Sequence, residues 1–368
     1  NLDTSAQRKA YKAMIEASYG IRTKADEQGY YPIKQVVVDN VTMPEEEIKK
    51  VIHAFQIDNP LIFWIANLYG FWYDSSNTYI QLYSYINSDK CEEYMTSLCD
   101  KIDEIISSMP QGLSEFDREL YLHDHLLEIC DYDLTATEKE EGWQAYTAYG
   151  ALINGKAVCE GYARAMQALL SHVNMKCTLV NGISGQSTHM WNIVMVDGSW
   201  YHLDVTWDEP DKMNRYDYFN VTDEVILKDH ILDPDYKSLT KDEICGKNGV
   251  NTKTFNLNLP ECNNSYYNYF EVFAVKVDSL NPSSDTKIIN RLYNLAKGKK
   301  EYFSLKISDS LDYKSTIEKI FSKQPYKLLY YINEVNKKLD SAHQIDSSKI
   351  MYAKVENQNS VTIKLSYL

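Results

Sequence analysis

The sequence predicts an α+β protein, and three observations carry that reading. Apolar residues recur at helical spacing in the first 130 residues; a short turn, a helix and a hairpin follow one another from Trp143 to Asp211; and strand-like and helix-like runs are mixed in the Asn-rich chain beyond residue 247. At 368 residues, 44% apolar and 24% charged, the chain can form two or three domains with a sizeable core and no disulfide staples. No apolar run approaches the roughly 18 residues that a membrane-spanning helix needs. With 38 Lys+Arg against 52 Asp+Glu the formal charge is −14, a field that repels nucleic-acid phosphate and anionic lipid. Nucleic acid is excluded as a partner on that ground.

Three parts follow along the chain: a helical and β-hairpin region over 1–112, a core over 113–246, and an α+β domain over 247–368. Ile48, Val51, Ile52 and Phe55 mark a helix over 45–55, and the run from Leu61 to Tyr73 with Thr78–Ile86 reads as a hairpin around Asp74-Ser75-Ser76-Asn77. Residues 90–107 and 114–130 are amphipathic helices marked by Leu98, Ile102, Ile105 and Ile106, then by Leu120, Leu126 and Leu127. Pro110-Gln111-Gly112 separates them, and Ser114 with Asp117 caps the second. In the last part, strands are expected at 269–278, 301–307, 350–356 and 361–367, and helices at 285–297 and 311–321; no chemistry can be named there.

The seven cysteines, at 91, 99, 130, 159, 177, 245 and 262, contain no C-x-x-C pair, and their odd number fits neither a disulfide framework nor a zinc ribbon. The chain opens on Asn1 rather than Met, and an upstream leader is expected to have been removed.

Residues 150–173, GALINGKAVCEGYARAMQALLSHV, read as a Gly155-Lys156 turn followed by a helix with Cys159, Ala163, Met166 and Leu170 facing inward. Cys159 falls in the first turn, where unpaired N–H groups and the helix dipole favour a thiolate. Alone, such a cysteine is more often a small buried hydrophobe. Partners change that balance. Residues 188–208, THMWNIVMVDGSWYHLDVTWD, are two alternating runs joined by Asp197-Gly198, a type I′ hairpin signal. A two-residue loop pairs Met195 with Trp200, Ile193 with His202, Trp191 with Asp204 and His189 with Thr206. His189 and Asp204 then share a face as diagonal neighbours, about 7–8 Å apart at the backbone.

A nucleophilic thiol needs a base to take its proton, and the base needs a group that fixes its tautomer; Cys159, His189 and Asp204 supply these in turn. His202 is a rival base and Asp208 a rival orienter, both ranked lower because His202 lies mid-hairpin while His189 opens its strand at the rim. His123 and His125 with Asp124 lie on a helix at a spacing that splits the imidazoles between faces, and they lack a third metal ligand.

The order CEGYA, THMWN, WYHLDVTWD resembles the bacterial transglutaminase-like superfamily, a papain-like cysteine fold with a Cys at a helix start, a His opening one strand and an Asp ending the next. The motifs cover residues 145–210, and NPLIFW at 59–64 and ELYLHDHLLEICDYD at 119–133 are similar to the N-terminal extension of clostridial-type members. Met190 stands where many members have Ala. The resemblance implies a papain-like core, with the helix that carries Cys159 packed on an antiparallel sheet. It implies Cys159 as nucleophile, His189 as base and Asp204 as orienter of a metal-independent acyl transfer on protein or peptide carboxamides, by transglutaminase-like cross-linking or deamidation. The oxyanion would be held by the Cys159 N–H and one further donor; Tyr149, Tyr146 and Gln144 are candidates, with Trp191 as a further substrate contact. No cofactor is implied, and the calcium-loop pattern is missing from the Asp-rich stretches. Glutamine, lysine and peptide amides, cell-wall peptides included, are the substrates it suggests, at the cell envelope where many relatives work. Two alternatives stand beside this reading: a cysteine peptidase or amidase with the same triad, and a non-catalytic envelope scaffold.

Overall fold

A computed structural model of the chain describes residues 2–136, 142–185, 187–209, 215–232, 258–324 and 326–368. The chain divides into two units, Asn1–Glu209 with Asp229–Asn263, and Pro210–Lys228 with Asn264–Leu368. The boundary expected between residues 246 and 247 lies outside the described residues, as does Cys245.

In the first unit, α1 (Ser5–Ser18) opens with a reciprocal capping box of Thr4 and Gln7. It is followed by β1 (Tyr31–Pro32), β2 (Val36–Val38), α2 (Glu45–Asp58), β3 (Ile65–Tyr73) and β4 (Thr78–Ser84). The expected helix is α2, with Ile48, Val51, Ile52 and Phe55 all buried. The expected hairpin is β3–β4, and Asp74 holds its turn by accepting the Ser76 and Asn77 N–H groups at 2.7 Å each. Next come α3 (Ser88–Ser108) and α4 (Glu115–Ile129), the latter capped as expected by Ser114, whose hydroxyl accepts the Asp117 N–H at 3.1 Å. The inward face of α4 differs from the expected stripe: Phe116, Leu122 and His123 are buried and Leu120 only half so, because the face also covers polar partners described below.

The core then runs through β5 (Asp131–Tyr132), β6 (Lys156–Ala157), α5 (Cys159–His172), β7 (Cys177–Ser184), β8 (Ser187–Val196), β9 (Ser199–Leu203) and α6 (Val205–Asp208). After α7 (Asp223–Ile226), which belongs to the second unit, the chain returns to the first at β10 (His230–Leu232). The four long-range strands form an antiparallel sheet in the order β10-β7-β8-β9. Helix α5 packs on β7 and β8, and Asn192 of β8 donates to the buried Ala163 carbonyl at 2.9 Å. Small residues at 161, 163, 165 and 168 let this helix be buried almost all round. This is the α+β core, a cysteine-bearing helix on an antiparallel sheet, that the resemblance implies. Two glycines make close approaches possible. A Cβ on Gly161 would lie 2.4 Å from the Ala145 carbonyl, and one on Gly182 would lie 2.2 Å from the Ile231 carbonyl and 2.6 Å from the Trp191 ring. The first lets the 3₁₀ turn Trp143–Tyr146 rest on the start of α5; the second lets Trp191 lie across β7 beneath β10.

The second unit holds a sheet of β11 (Val275–Val277), β12 (Tyr302–Ile307), β13 (Met351–Val355) and β14 (Ser360–Lys364), ordered β11-β12-β14-β13 with only β11–β12 parallel. Helices Pro282–Lys297, Tyr313–Phe321 and Lys327–Asn336 cover a core that includes Leu292, Phe303, Ile332 and Ile363. The strand expected over 269–278 is half helix: Tyr269–Phe273 is helical and only Val275–Val277 pairs. Asn268 caps that turn by accepting the Phe270 N–H at 3.1 Å, and Tyr269 stacks on Tyr216 at 3.7 Å, so a cap and a ring stack override strand propensity. Helix Lys327–Asn336 was not anticipated; Asp285 anchors it by accepting Lys327 Nζ at 2.8 Å and the Tyr331 hydroxyl at 2.6 Å. Among the described residues, no helix is long and apolar enough to cross a membrane.

Candidate active site

Cys159 is the first residue of α5. Val158 before it is extended and offers no side-chain cap, and the Cys159 N–H meets the Tyr132 hydroxyl instead. That start is fixed from behind: β6 runs parallel to β5, and the Val158 N–H donates to the Ala145 carbonyl at 2.9 Å. Cys159 is half-buried, whereas Ala163, Met166 and Leu170 on the same stripe are buried.

The hairpin has the register read from the sequence. Asp197 and Gly198 both have positive φ, 45° and 81°, as a type I′ turn demands, and Ile193 faces His202 while Met195 faces Trp200. The ladder stops three pairs sooner than expected, before the Trp191–Asp204 and His189–Thr206 pairs. Asn192–Leu203 is its last rung, and Asp204 leaves the strand to become the N-cap of α6, where its Oδ1 accepts the Trp207 N–H at 3.2 Å. The other oxygen, Oδ2, lies 2.6 Å from His189 Nε2. An ionised carboxylate only accepts, so Nε2 carries the proton and Nδ1 is left to face the thiol. The side chains of His189 and Asp204 are 7% and 1% exposed.

Electrostatics follow from this burial. For His189, burial opposes the charged form, but the charge and hydrogen bond of Asp204 and the hydrogen bond and charge of Cys159 outweigh it and raise the imidazole above the ordinary histidine range. For Asp204, burial alone would raise the carboxyl; His189 and then His230 overcome that and hold it well below the ordinary carboxylate range. Each partner therefore favours the charged form of the other.

The remaining candidates separate. His202 is fully buried and its Nδ1 accepts the Trp191 indole N–H at 3.0 Å. Asp208 is buried against His123 on α4, 3.2 Å from its Nε2, and His123 Nδ1 lies 3.0 Å from Asp124. Tyr149 is stacked between Phe63 and Tyr94, at 5.3 and 4.6 Å. The Gln144 side chain accepts from Asn154 at 2.8 Å, and Tyr146 is half-buried. Trp191 is buried and stacks against the His189 ring at 5.8 Å.

Two residues near this site escaped the sequence reading. His230 on β10 places Nε2 3.1 Å from Asp204 Oδ2. Tyr132 on β5 is 38% exposed, and its hydroxyl is pushed up to about 12, by burial first and then by the charges of Cys159 and Tyr146. The parallel β5–β6 pairing that sets Tyr132 beside Ala157, two residues before Cys159, could have pointed to Tyr132 only once that pairing was known.

The donor atoms of His189, Asp204 and His230 lie within 4.8 Å of one another, as in a metal site. Both imidazole nitrogens approach the same carboxylate oxygen, at 2.6 and 3.1 Å. Donors around a tetrahedral ion with bonds near 2.0–2.1 Å sit about 3.3 Å apart. The shorter spacings are those of hydrogen bonds, and the three side chains form a hydrogen-bonded cluster.

Residues 105–205 match the Transglutaminase-like superfamily. The kyphoscoliosis peptidase of Homo sapiens is 25% identical over 134 residues, which cover 32% of this chain and 20% of that protein. The Mus musculus protein of the same name is 25% identical over 119 residues, 29% of this chain and 18% of its own. The match thus spans about a fifth of the length of these curated relatives. The crystal structure of a TGase is also similar, at 12% identity and a TM-score of 0.29, covering 49% of this chain and 53% of that one. Cys159, His189 and Asp204 all fall within the matched segment, and residues 105–205 are a transglutaminase-like domain.

Proposed function

We propose that this protein carries out cysteine-dependent acyl transfer on protein or peptide carboxamides, with Cys159 as nucleophile, His189 as base and Asp204 as orienter. The observation that carries the reading is the 2.6 Å contact of His189 Nε2 with Asp204 on an imidazole that also interacts with the Cys159 thiol at a helix start. The Cys159 proton is already held at His189 Nδ1, in the charged form that Asp204 stabilises, when Sγ bonds to the carboxamide carbon. When the C–N bond breaks, the leaving nitrogen takes that proton and departs as ammonia or an amine, leaving a thioester. An amine or water then resolves the thioester and frees the thiol. The Cys159 N–H, which meets the Tyr132 hydroxyl in the free site, would bind the oxyanion, and that hydroxyl is a candidate second donor.

Hydrolysis rather than transfer is the second reading, and the peptidase name of the curated relatives favours it. A scaffold role leaves the buried His189–Asp204 pair, which costs desolvation, without a purpose. Incubation with a glutamine-bearing protein and a labelled primary amine, in EDTA, separates the three. Labelled protein is the expected result, cleavage without label supports the peptidase, and inertness toward every amide overturns the enzymatic reading.

Thiol reactivity gives a test independent of substrate. Burial pushes Cys91 and Cys130 up to about 12, Cys177 higher still, and raises Cys99. Cys159 has an imidazole partner instead. Substoichiometric iodoacetamide at neutral pH is therefore expected to alkylate Cys159 first, as read by peptide mass mapping. Preferential labelling of any other cysteine would remove the nucleophile assignment.

A further inference from the structure

His230 is an unassigned member of this cluster. It opens β10, pairs with Ser184 of β7, and its side chain is wholly buried. Trp191 and Trp207 enclose its ring, with centroids at 5.1 and 5.3 Å, and the His189 ring lies at 5.5 Å. Each of its nitrogens faces a carboxylate: Nδ1 is 2.7 Å from Asp229 Oδ1, and Nε2 is 3.1 Å from Asp204 Oδ2, the oxygen that also meets His189. Three groups thus meet Asp204, the Trp207 N–H on Oδ1 and two imidazoles on Oδ2; because carboxylates only accept, His230 serves both Asp204 and Asp229 with a proton on each ring nitrogen.

We infer that His230 is a positioning residue of the thiol site: its hydrogen bond holds the buried Asp204 carboxylate in the orientation that His189 requires, and Asp229 holds the His230 ring in turn. A carboxylate on a rotatable bond, with one oxygen capping a helix, keeps its second oxygen aimed at His189 only if something fixes it from the far side. Trp207 contributes its backbone N–H to Oδ1, and Nε2 of His230 meets Oδ2. The hydrogen bond of His230 also helps to offset the burial that would otherwise favour a protonated Asp204. Ionisable groups that face the cluster include His189 and, beyond it, Cys159 on one side and Asp229 on the other; β7 contributes Ser184, whose hydroxyl donates to the Asp229 carbonyl at 3.4 Å. The inference rests on the proposed roles of Cys159, His189 and Asp204.

The test is the alkylation rate of Cys159 in the full chain against pH, for wild type, His230→Leu, His230→Gln and Asp229→Asn. In wild type, Cys159 is expected to alkylate fast at pH 6, where a thiol without an imidazole partner reacts slowly. His230→Leu lets Asp204 turn away and become easier to protonate, so the imidazolium is less stabilised; the acid limb moves to higher pH, and the rate at pH 6 falls about 10–100-fold, the size of a lost hydrogen bond to a charged group. At pH 9 and above, where a thiol ionises without a partner, the rates converge, which general damage to the fold would not produce. His230→Gln keeps a donor at the Nε2 position and recovers most of the rate; Asp229→Asn, on the exposed side of the ring, shifts the limb the same way by a few-fold in rate. A folded His230→Leu with the wild-type profile, or a Gln variant no better than Leu, overturns the inference. If the Leu variant fails to fold, an unshifted limb in Asp229→Asn does so instead. A wild-type Cys159 with no reactivity below the ordinary thiol range refutes the underlying reading of the site, whatever the variants do.

Discussion

Asp204→Asn is expected to leave the fold intact and to cut turnover by about 10⁴, the loss found when the orienting carboxylate of a serine triad is made an amide. The amide presents either an oxygen or an NH₂ to His189 Nε2. If NH₂, it repels the Nε2–H tautomer and leaves Nδ1 carrying the proton, which makes it useless as the base for Cys159. If oxygen, the negative charge that stabilises the imidazolium is still gone. The side chains are nearly isosteric, and with NH₂ turned to His189 the Asn oxygen still accepts the Trp207 N–H, so the α6 cap survives in that orientation. Asp208→Asn should behave differently, because Asp208 faces His123 rather than His189. Its effect belongs in stability, with turnover per folded molecule nearly unchanged. Equal losses of turnover at both positions would mean that the wrong carboxylate has been assigned.

The hairpin shows what the sequence could and could not reveal. Asp197-Gly198 is legible because only a few residues tolerate two consecutive positive φ values, and once that turn is set, period-two alternation fixes every rung to Asn192–Leu203. Where the ladder ends is less legible: Asp204 can continue the strand or cap a helix, and the Trp207 N–H decides it. His189 and Asp204 meet either way, since a cap residue one step past the last rung still reaches the same rim. The start of α5 at Cys159 was equally clear from the Gly155 turn and the apolar stripe that follows. His230 was invisible for a different reason. It lies on a three-residue strand without alternation, and the chain passes through Pro210–Lys228 of the other unit before returning to pair with β7. No local pattern encodes a pairing whose partner is 46 residues back, and a lone His beside Asp229 is ordinary sequence. The same limit applies to His123 and Asp208, which read as a poor metal set and a second-rank orienter while in the structure each is the other's partner.

That pairing yields the second large effect. His123→Ala is expected to destabilise the first unit by about 3–5 kcal/mol, because removing one member of a buried ion pair leaves the other uncompensated. Both side chains are fully buried, and His123 Nε2 lies 3.2 Å from Asp208 Oδ2, tying α4 to the last residue of α6. Burial opposes the charge on His123, but hydrogen bonds and attraction from Asp124 and Asp208 outweigh it and raise the imidazole to about 9. The folded value thus exceeds the unfolded value near 6.5, so the contribution is fully present below about pH 6.5 and is lost as pH rises through the raised value. Urea unfolding of wild type and variant at pH 6 should show the full difference, and the gap should narrow as the pH passes about 9, where wild-type His123 gives up its proton. The cavity left by the imidazole adds a part that does not depend on pH, so the gap narrows without closing. A difference that is constant from pH 6 to pH 10 would show that His123 is packed as a neutral ring, and that the clamp on α6 is steric rather than ionic. Because α6 also carries Asp204 at its N-cap, the same variant should weaken catalysis only to the extent that α6 loosens: a small loss in turnover per folded molecule beside a large loss in stability, the reverse of Asp204→Asn.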